Sequence, residues 1–439
     1  MKELTLIKDG YIVDPASGRE GNYDILIEND KIIRVDNPIS QQEISQMADE
    51  GQINLRVINA SNKYVMPGFI DLHVHLREPG YEYKETIKTG SMAAVAGGFT
   101  TICPMPNTNP VTDTKEKTEW VIDKARKEAA CNVLPIGAIT MGQKGDELAD
   151  IFGMASAGAV GISEDGKSVM GTALYAEAMK RARECGIPVF AHCEDKELVG
   201  PGVINSGASA DRLKLPGISN AVEDIIVARD IILAKETGVK LHICHCSTKD
   251  SAKLIKFAKE EGLPVTGEIC PHHFILTDED IPGDDSDYKM NPPLRRQEDV
   301  DALKEALCTG IIDVIATDHA PHSQEEKKKS FMEAPFGIVG LETALALTYT
   351  ELVKAGYLTL GQMVEKLSVN PAKILGIDRG CLDIGKIADL IIVDLDDEYL
   401  IDKETFISKG KNTPFHGRKV TGRVIETLVG GKTVYRYNK

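Results

Sequence analysis

The sequence predicts an α/β protein, a (β/α)8 TIM-type barrel with a small β-sandwich-like domain formed by both chain ends. Three observations predict it. Both ends read as short strands around polar turns, β-rich runs alternate with helical patterns between them, and histidines gather where those runs end.

The N-terminal end starts as a strand running into a turn over residues 1–10, with neither an apolar leader core nor a small-residue cleavage site, so a cytoplasmic location is expected. Asp24 to Val35 then reads as two short strands around a polar turn. At the other end, Asp389 to Asp394 and Val420 to Tyr435 repeat that style, with Gly430-Gly431 as a hairpin turn. Residues 1–66 and 380–439 are therefore expected to form one composite β domain, with 38–52 as a longer polar loop.

Residues 67–379 are expected to be the barrel. Its strands are read at 68–75, 100–103, 133–138, 159–162, 187–192, 240–245, 264–269 and 313–317. Helical periodicity lies between them at 114–130, 172–185, 221–237, 251–261 and 298–308. A doubly wound open sheet is the alternative, but no G-x-G-x-x-G fingerprint follows the first strand.

Bulk properties narrow the function. A net charge of −16 argues against broad nucleic-acid or anionic-membrane binding. It also requires a local positive site for any anionic substrate. Nine cysteines, an odd number with no CxxC pair, fit reduced thiols better than a disulfide framework.

Histidine carries the most information, because there are only ten. His73 and His75 are spaced i, i+2 on the first barrel strand, which turns both side chains to one face. His192 ends the fifth strand, His245 ends the sixth, and Asp318 follows the eighth. A lone strand histidine is ordinarily a hydrogen-bonded core residue. Five candidates at the C-terminal strand ends, where such barrels build their sites, suit zinc or a similar divalent ion. By the same alternation His242 should face away from His245, as a structural residue or, as the alternative, a support behind a ligand, and His319 should face away from Asp318. His272 and His273 follow the seventh strand, where either a support behind the ligands or a substrate contact is open to them, and His416 lies in the tail, outside the site. Cys193, Cys244, Cys246 and Cys270 read as small buried hydrophobes, with Cys244 and Cys246 turned away from the site.

A resemblance attaches to these residues. The run Gly68-Phe69-Ile70-Asp71-Leu72-His73-Val74-His75-Leu76-Arg77-Glu78-Pro79-Gly80 resembles the opening motif of dihydroorotases. Six further blocks follow in that family's order: Met105 to Pro110, Ser163 to Gly166, His192 to Asp195, His245 to Thr248, Asn291 to Arg295 and Thr317 to His322. The likeness spans about 67–371 and continues weakly at Asn412-Thr413-Pro414. It implies two divalent ions, zinc first, held by His73, His75, Asp165, His192, His245 and Asp318. Asp165, matching the aspartate of the type I bacterial members, would bridge both; Glu164 and Lys167 are its competitors. It further implies substrate contacts by His75, Asn107, Asn291, His322 and the Phe336-Gly337 backbone. Arg77, two residues beyond His75, should face the mouth and bind a carboxylate.

The activity so implied is the reversible closure of N-carbamoyl-L-aspartate to L-dihydroorotate in pyrimidine biosynthesis, with Asp318 moving the proton. The family also implies a homodimer and an association with aspartate carbamoyltransferase. A hydantoinase or allantoinase is the nearest rival. A non-catalytic partner of a carbamoyltransferase is the rival from another class.

Overall fold

The computed structural model describes residues 2–40, 43 and 53–438. The loop expected at 38–52 lies mostly outside the described residues. Five strands open the chain: β1 (Lys2–Asp14), β2 (Arg19–Glu28), β3 (Lys31–Asp36), β4 (Ile53–Asn59) and β5 (Tyr64–Pro67). The middle carries β6 (Phe69–Val74), β7 (Phe99–Pro104), β8 (Asn132–Val133), β9 (Gly137–Ala138), β10 (Ile162–Ser163) and β11 (Val189–Ala191). A short ribbon, β12 (Ile204–Asn205) and β13 (Gly217–Ile218), precedes β14 (Leu241–Ile243), β15 (Val265–Ile269) and β16 (Val314–Ile315). The chain closes with β17 (Leu390–Leu400), β18 (Lys419–Val429) and β19 (Lys432–Arg436).

Both chain ends share one sheet, in the order β19-β18-β17-β5-β1-β2-β3, with β4 also on β1. β5 makes the junction: it runs parallel to β1 and antiparallel to β17. Gly430 and Gly431 turn β18 into β19 at φ 54° and 73°. Two consecutive left-handed residues match the twist of a tight hairpin, and glycine adopts them without a Cβ clash.

The middle strands are parallel and buried, as apolar runs covered on both faces must be. β6, β7 and β8 form one group, and β9, β10, β11, β14, β15 and β16 the other. The stretch 133–138, read as one strand, is two short ones, the first starting at Asn132. Its first half pairs with β7, and Leu134 and Ile136 still donate to Ile102 and Pro104; its second half pairs with β10. At the far edge a parallel bridge joins Val74 to His319, where the His75 amide donates to the His319 carbonyl at 2.8 Å.

Amphipathic helices separate these strands. Thr172–Cys185 buries Tyr175, Ala178, Met179 and Ala182, an i, i+3, i+4, i+7 stripe, and stops at left-handed Gly186. Lys249–Glu260 is capped by the Thr248 hydroxyl, which accepts from the Ser251 amide, and buries Ala252, Ile255 and Ala258. Phe69 and Phe99 meet edge-on, 5.7 Å between centroids, between the first two parallel strands. Each such side chain contributes roughly 1.5–3 kcal/mol on burial. Among the described residues no helix is long and apolar enough to cross a membrane.

Candidate active site

Strand ends deliver the candidate side chains. His73 lies within β6, and His75, His192, His245, Asp165 and Asp318 each stand one to three residues past β6, β11, β14, β10 and β16. His75 and Asp318 are 243 positions apart in sequence, yet His75 Nε2 lies 3.0 Å from Asp318 Oδ1. Asp165 sits at the centre. Its Oδ1 is 3.2 Å from His73 Nε2, 3.4 Å from His192 Nδ1 and 3.7 Å from His245 Nε2. Its Oδ2 is 3.5 Å from His75 Nε2. Glu164 is turned aside, accepting from the Ile139 and Thr140 amides, and Lys167 Nζ donates to the Gln143 carbonyl.

The donor set fits divalent cations. His73, His75 and Asp165 offer atoms within 4.8 Å of one another, as do Asp165, His192 and His245. These are two groups that share one carboxylate. His73 Nε2, Asp165 Oδ1, His192 Nε2 and His245 Nδ1 are buried without a hydrogen-bond partner. Buried polar atoms ordinarily have partners, so four unpartnered atoms on four side chains of one cluster mark a place for cations. The electrostatics agree. Burial pushes the Asp165 carboxyl up, yet the facing His73, His192 and His245 hold it well below the usual carboxylate range. Burial opposes charge on His192, but Asp165 and Glu194 raise it to about 10. The carboxylates thus demand positive charge that protons or metal ions can supply.

A second layer orients this cluster. Glu268 on β15, fully buried, places Oε1 2.7 Å from His73 Nδ1 and Oε2 3.0 Å from His242 Nε2, and accepts from the His245 amide. Burial opposes its ionisation, but His73 and His242 hold its pKa at about 2. The carboxylate accepts a hydrogen bond from His73 Nδ1–H and so leaves Nε2 for the Asp165 side. Asp71 accepts from the His73 amide and from the Thr317 amide and hydroxyl, tying β6 to the segment that carries Asp318.

Two parity readings fail here. His242 does not face away from the cluster but reaches it through Glu268. Cys244 lies with His73 and Glu268, its donor atom within 4.8 Å of theirs. β14 ends at Ile243 and His245 adopts φ 33°, so strand alternation no longer applies beyond that point. His319 does turn away, toward Glu85 and the Gly340 amide, and Cys246 packs in the core.

Facing the cluster is a cavity of about 180 Å³. Asp165, His192, His245 and Asp318 line one side; His75, Arg77, Asn107, Asn291, His322, Phe336 and Gly337 complete it. Arg77 adopts φ 62°, and its guanidinium donates to the Pro321 carbonyl and meets His322 Nε2 at 3.3 Å. Among the described residues it forms no ion pair. Burial lowers its pKa, opposed by Asp318 and Asp165. His322 is kept neutral by burial and by Arg77 and Lys84, and its Nε2 lies 2.8 Å from the Phe336 carbonyl. Asn107 spans His75 Nδ1 and Asp165 Oδ2 at 2.9 and 3.3 Å. Asn291, well beyond the end of β15, donates to Glu194 Oε2 at 2.5 Å.

The rim rests on residues that the sequence reading missed. Lys327 Nζ donates to the Pro335 and Gly337 carbonyls at 3.2 and 3.1 Å, and burial pushes its pKa down to about 8. Asn412 donates to the Ala320 and Gly337 carbonyls and accepts from the His322 amide. Gly337 has φ 131°, and a Cβ there would come within 2.7 Å of the Ala320 methyl. Glu268 left one trace in the sequence, a carboxylate inside an apolar strand. Asn412 left only a weak motif, and Lys327 none.

Imidazoles and carboxylates gathered in this way past parallel strands define a metal-dependent hydrolase of the amidohydrolase class. Residues 62–251 match a family model described as dihydro-orotase-like. A dihydroorotase of Geobacillus sp. (strain WCH70) is 49% identical over 96% of this chain and 98% of its own length. One from Acetivibrio thermocellus is 49% identical over 98% and 99%. Among solved structures, an L-hydantoinase (dihydropyrimidinase) from Arthrobacter aurescens is similar at TM-score 0.84 and 28% identity, covering 99% of this chain and 96% of that one. The chain belongs to the dihydroorotase family.

Proposed function

We propose that this chain interconverts N-carbamoyl-L-aspartate and L-dihydroorotate, the ring-closing step of pyrimidine biosynthesis. The reading takes the two parallel strand groups as one (β/α)8 barrel over 67–379, joined to a β domain of residues 1–66 and 380–439. His73, His75, Asp165, His192, His245 and Asp318 would hold two divalent ions, zinc first, with Asp165 common to both. Bound there, the ions supply Lewis acidity that polarises an amide carbonyl and brings the pKa of water from 15.7 toward about 7.

The side chains do the rest. Burial would raise the Asp318 carboxyl, but His73 and His75 hold it far below neutrality, so it is ready to accept a proton at pH 7. It takes that proton from the attacking water and passes it to the departing ring nitrogen; the reverse order closes the ring. Arg77 offers a planar pair of donors to the substrate carboxylate, beside a neutral His322 that adds no competing charge. Asn107 and Asn291 both line the cavity and present side-chain amides there.

The observation that carries this reading is the half-buried Arg77 guanidinium, with no ion pair among the described residues, lining the same cavity as the metal-type cluster. A neutral hydantoin leaves that cation unmatched, whereas dihydroorotate brings a carboxylate. The test is hydrolysis of L-dihydroorotate by the zinc-loaded protein, followed as loss of ring absorbance beside allantoin and hydantoin. Turnover of dihydroorotate that chelation abolishes and zinc restores is expected. A fully metallated protein that leaves it intact would move the function to a sister amidohydrolase or a scaffold. The homodimer implied by the family belongs to the same reading and is checked by sedimentation.

A further inference from the structure

We propose that Cys270, His272 and His273 form a separate buried site for a soft divalent cation, with zinc as its occupant. The three follow β15 directly, in the turn Cys270-Pro271-His272-His273, where Pro271 opens a short helix. Each offers a donor atom within 4.8 Å of the other two, and all three are at most 2% exposed. None of them lines the cavity between Arg77 and Asp318.

Two imidazole nitrogens here have no partner. His273 Nε2 lies 2.9 Å from the Pro292 carbonyl, which requires its proton on Nε2 and leaves Nδ1 as a bare lone pair. That Nδ1 is buried and unpartnered, and so is Nε2 of the neighbouring His272. A pair of core histidines kept for packing would have both nitrogens satisfied. Both rings are neutral at pH 7, because burial depresses them, His272 to about 4. Neutral imidazoles and a thiol select zinc over calcium or magnesium.

Binding is balanced simply. The Cys270 sulfur loses its proton to solvent as the sulfur–metal bond forms, and the imidazoles donate lone pairs without losing protons. The Pro292 carbonyl would orient His273 as a ligand. Pro292 directly follows Asn291, so the ion would brace the segment that presents Asn291 to the cavity.

Zinc-edge X-ray absorption on the full-length zinc-loaded protein tests this, together with the zinc content per chain. A sulfur shell at about 2.3 Å is expected. Cys270→Ser should lose that shell and one zinc per chain, and His273→Gln gives the same reading if the serine variant fails to fold. Cys244→Ser is the control, because Cys244 also lies near His73 and Glu268. It and His192→Asn should keep the shell, which separates this site from the one proposed for catalysis. No sulfur shell in the unmutated protein, a shell that survives Cys270→Ser, or one lost in Cys244→Ser would overturn the proposal.

Discussion

The two walls of the cavity are built differently. The cluster wall hangs on strand ends: His73, His75, Asp165, His192, His245 and Asp318 come from five parallel strands and are braced by Glu268 and Asp71 from within the same sheets. The rim wall is loop backbone. His322 and the Phe336-Gly337 turn are held by Lys327 and by Asn412, a residue from the far end of the chain, and Arg77 rests on Pro321 and His322. Chemistry shared across a hydrolase class belongs on the rigid wall, and selection of one substrate belongs on the wall that loops can remodel.

Several experiments can break or sharpen that contrast. Asp318→Asn should cause the largest loss, roughly 10²–10⁴-fold in kcat, because it removes the proton acceptor. Steady-state kinetics at saturating dihydroorotate would measure it, and a loss under tenfold would place the proton elsewhere. Glu268→Gln should cost roughly 10–100-fold in metal affinity or activity, as loss of a carboxylate behind a metal histidine does. Dialysis against a zinc buffer reads the affinity. An unchanged value would show that His73 needs no such brace.

The rim predicts a different signature. Lys327→Met takes the donor from the Pro335 carbonyl and leaves the Gly337 carbonyl with Asn412 alone, at a cost of about 1–3 kcal/mol. KM for dihydroorotate should rise roughly tenfold while kcat holds, because the cluster is untouched. A fall in kcat with constant KM would erase the distinction between the walls.

The smallest effect concerns the anchor below Asn412. Glu342 accepts from the Ile407 and Ser408 amides, and burial raises its pKa to about 7. The folded protein keeps this proton between about 4.5 and 7, where the unfolded chain has released it. Its contribution to stability is therefore complete below about 4.5 and is lost as pH rises through 7, by at most about 3 kcal/mol. Melting temperatures of the parent and Glu342→Gln, compared from pH 5 to 8, should diverge with that slope.

The same division explains what could be read in advance. Short β-rich runs and period-3.6 patterns announced the parallel strands and helices, and rare histidines at strand ends announced the cluster. Thr172–Cys185 and Ala221–Thr237 match their expected bounds, and each stops at a left-handed glycine, Gly186 or Gly238. His242 and Cys244 were misread because parity rules end with the strand, and left-handed His245 lies beyond it. Lys327 was invisible for another reason: its partners are carbonyl oxygens, which every residue has and no sequence pattern marks. Glu268 lies between these cases, since a carboxylate in an apolar strand signals a partner without naming His73.

The contrast between the walls is tested most directly by kcat/KM of Arg77→Ala toward dihydroorotate and toward hydantoin, a neutral ring. Loss of charge-assisted hydrogen bonds at this site predicts a fall of roughly 10–100-fold for dihydroorotate, with hydantoin turnover nearly unchanged. Equal losses on both substrates would contradict the account, because Arg77 would then serve the cluster rather than select the carboxylate.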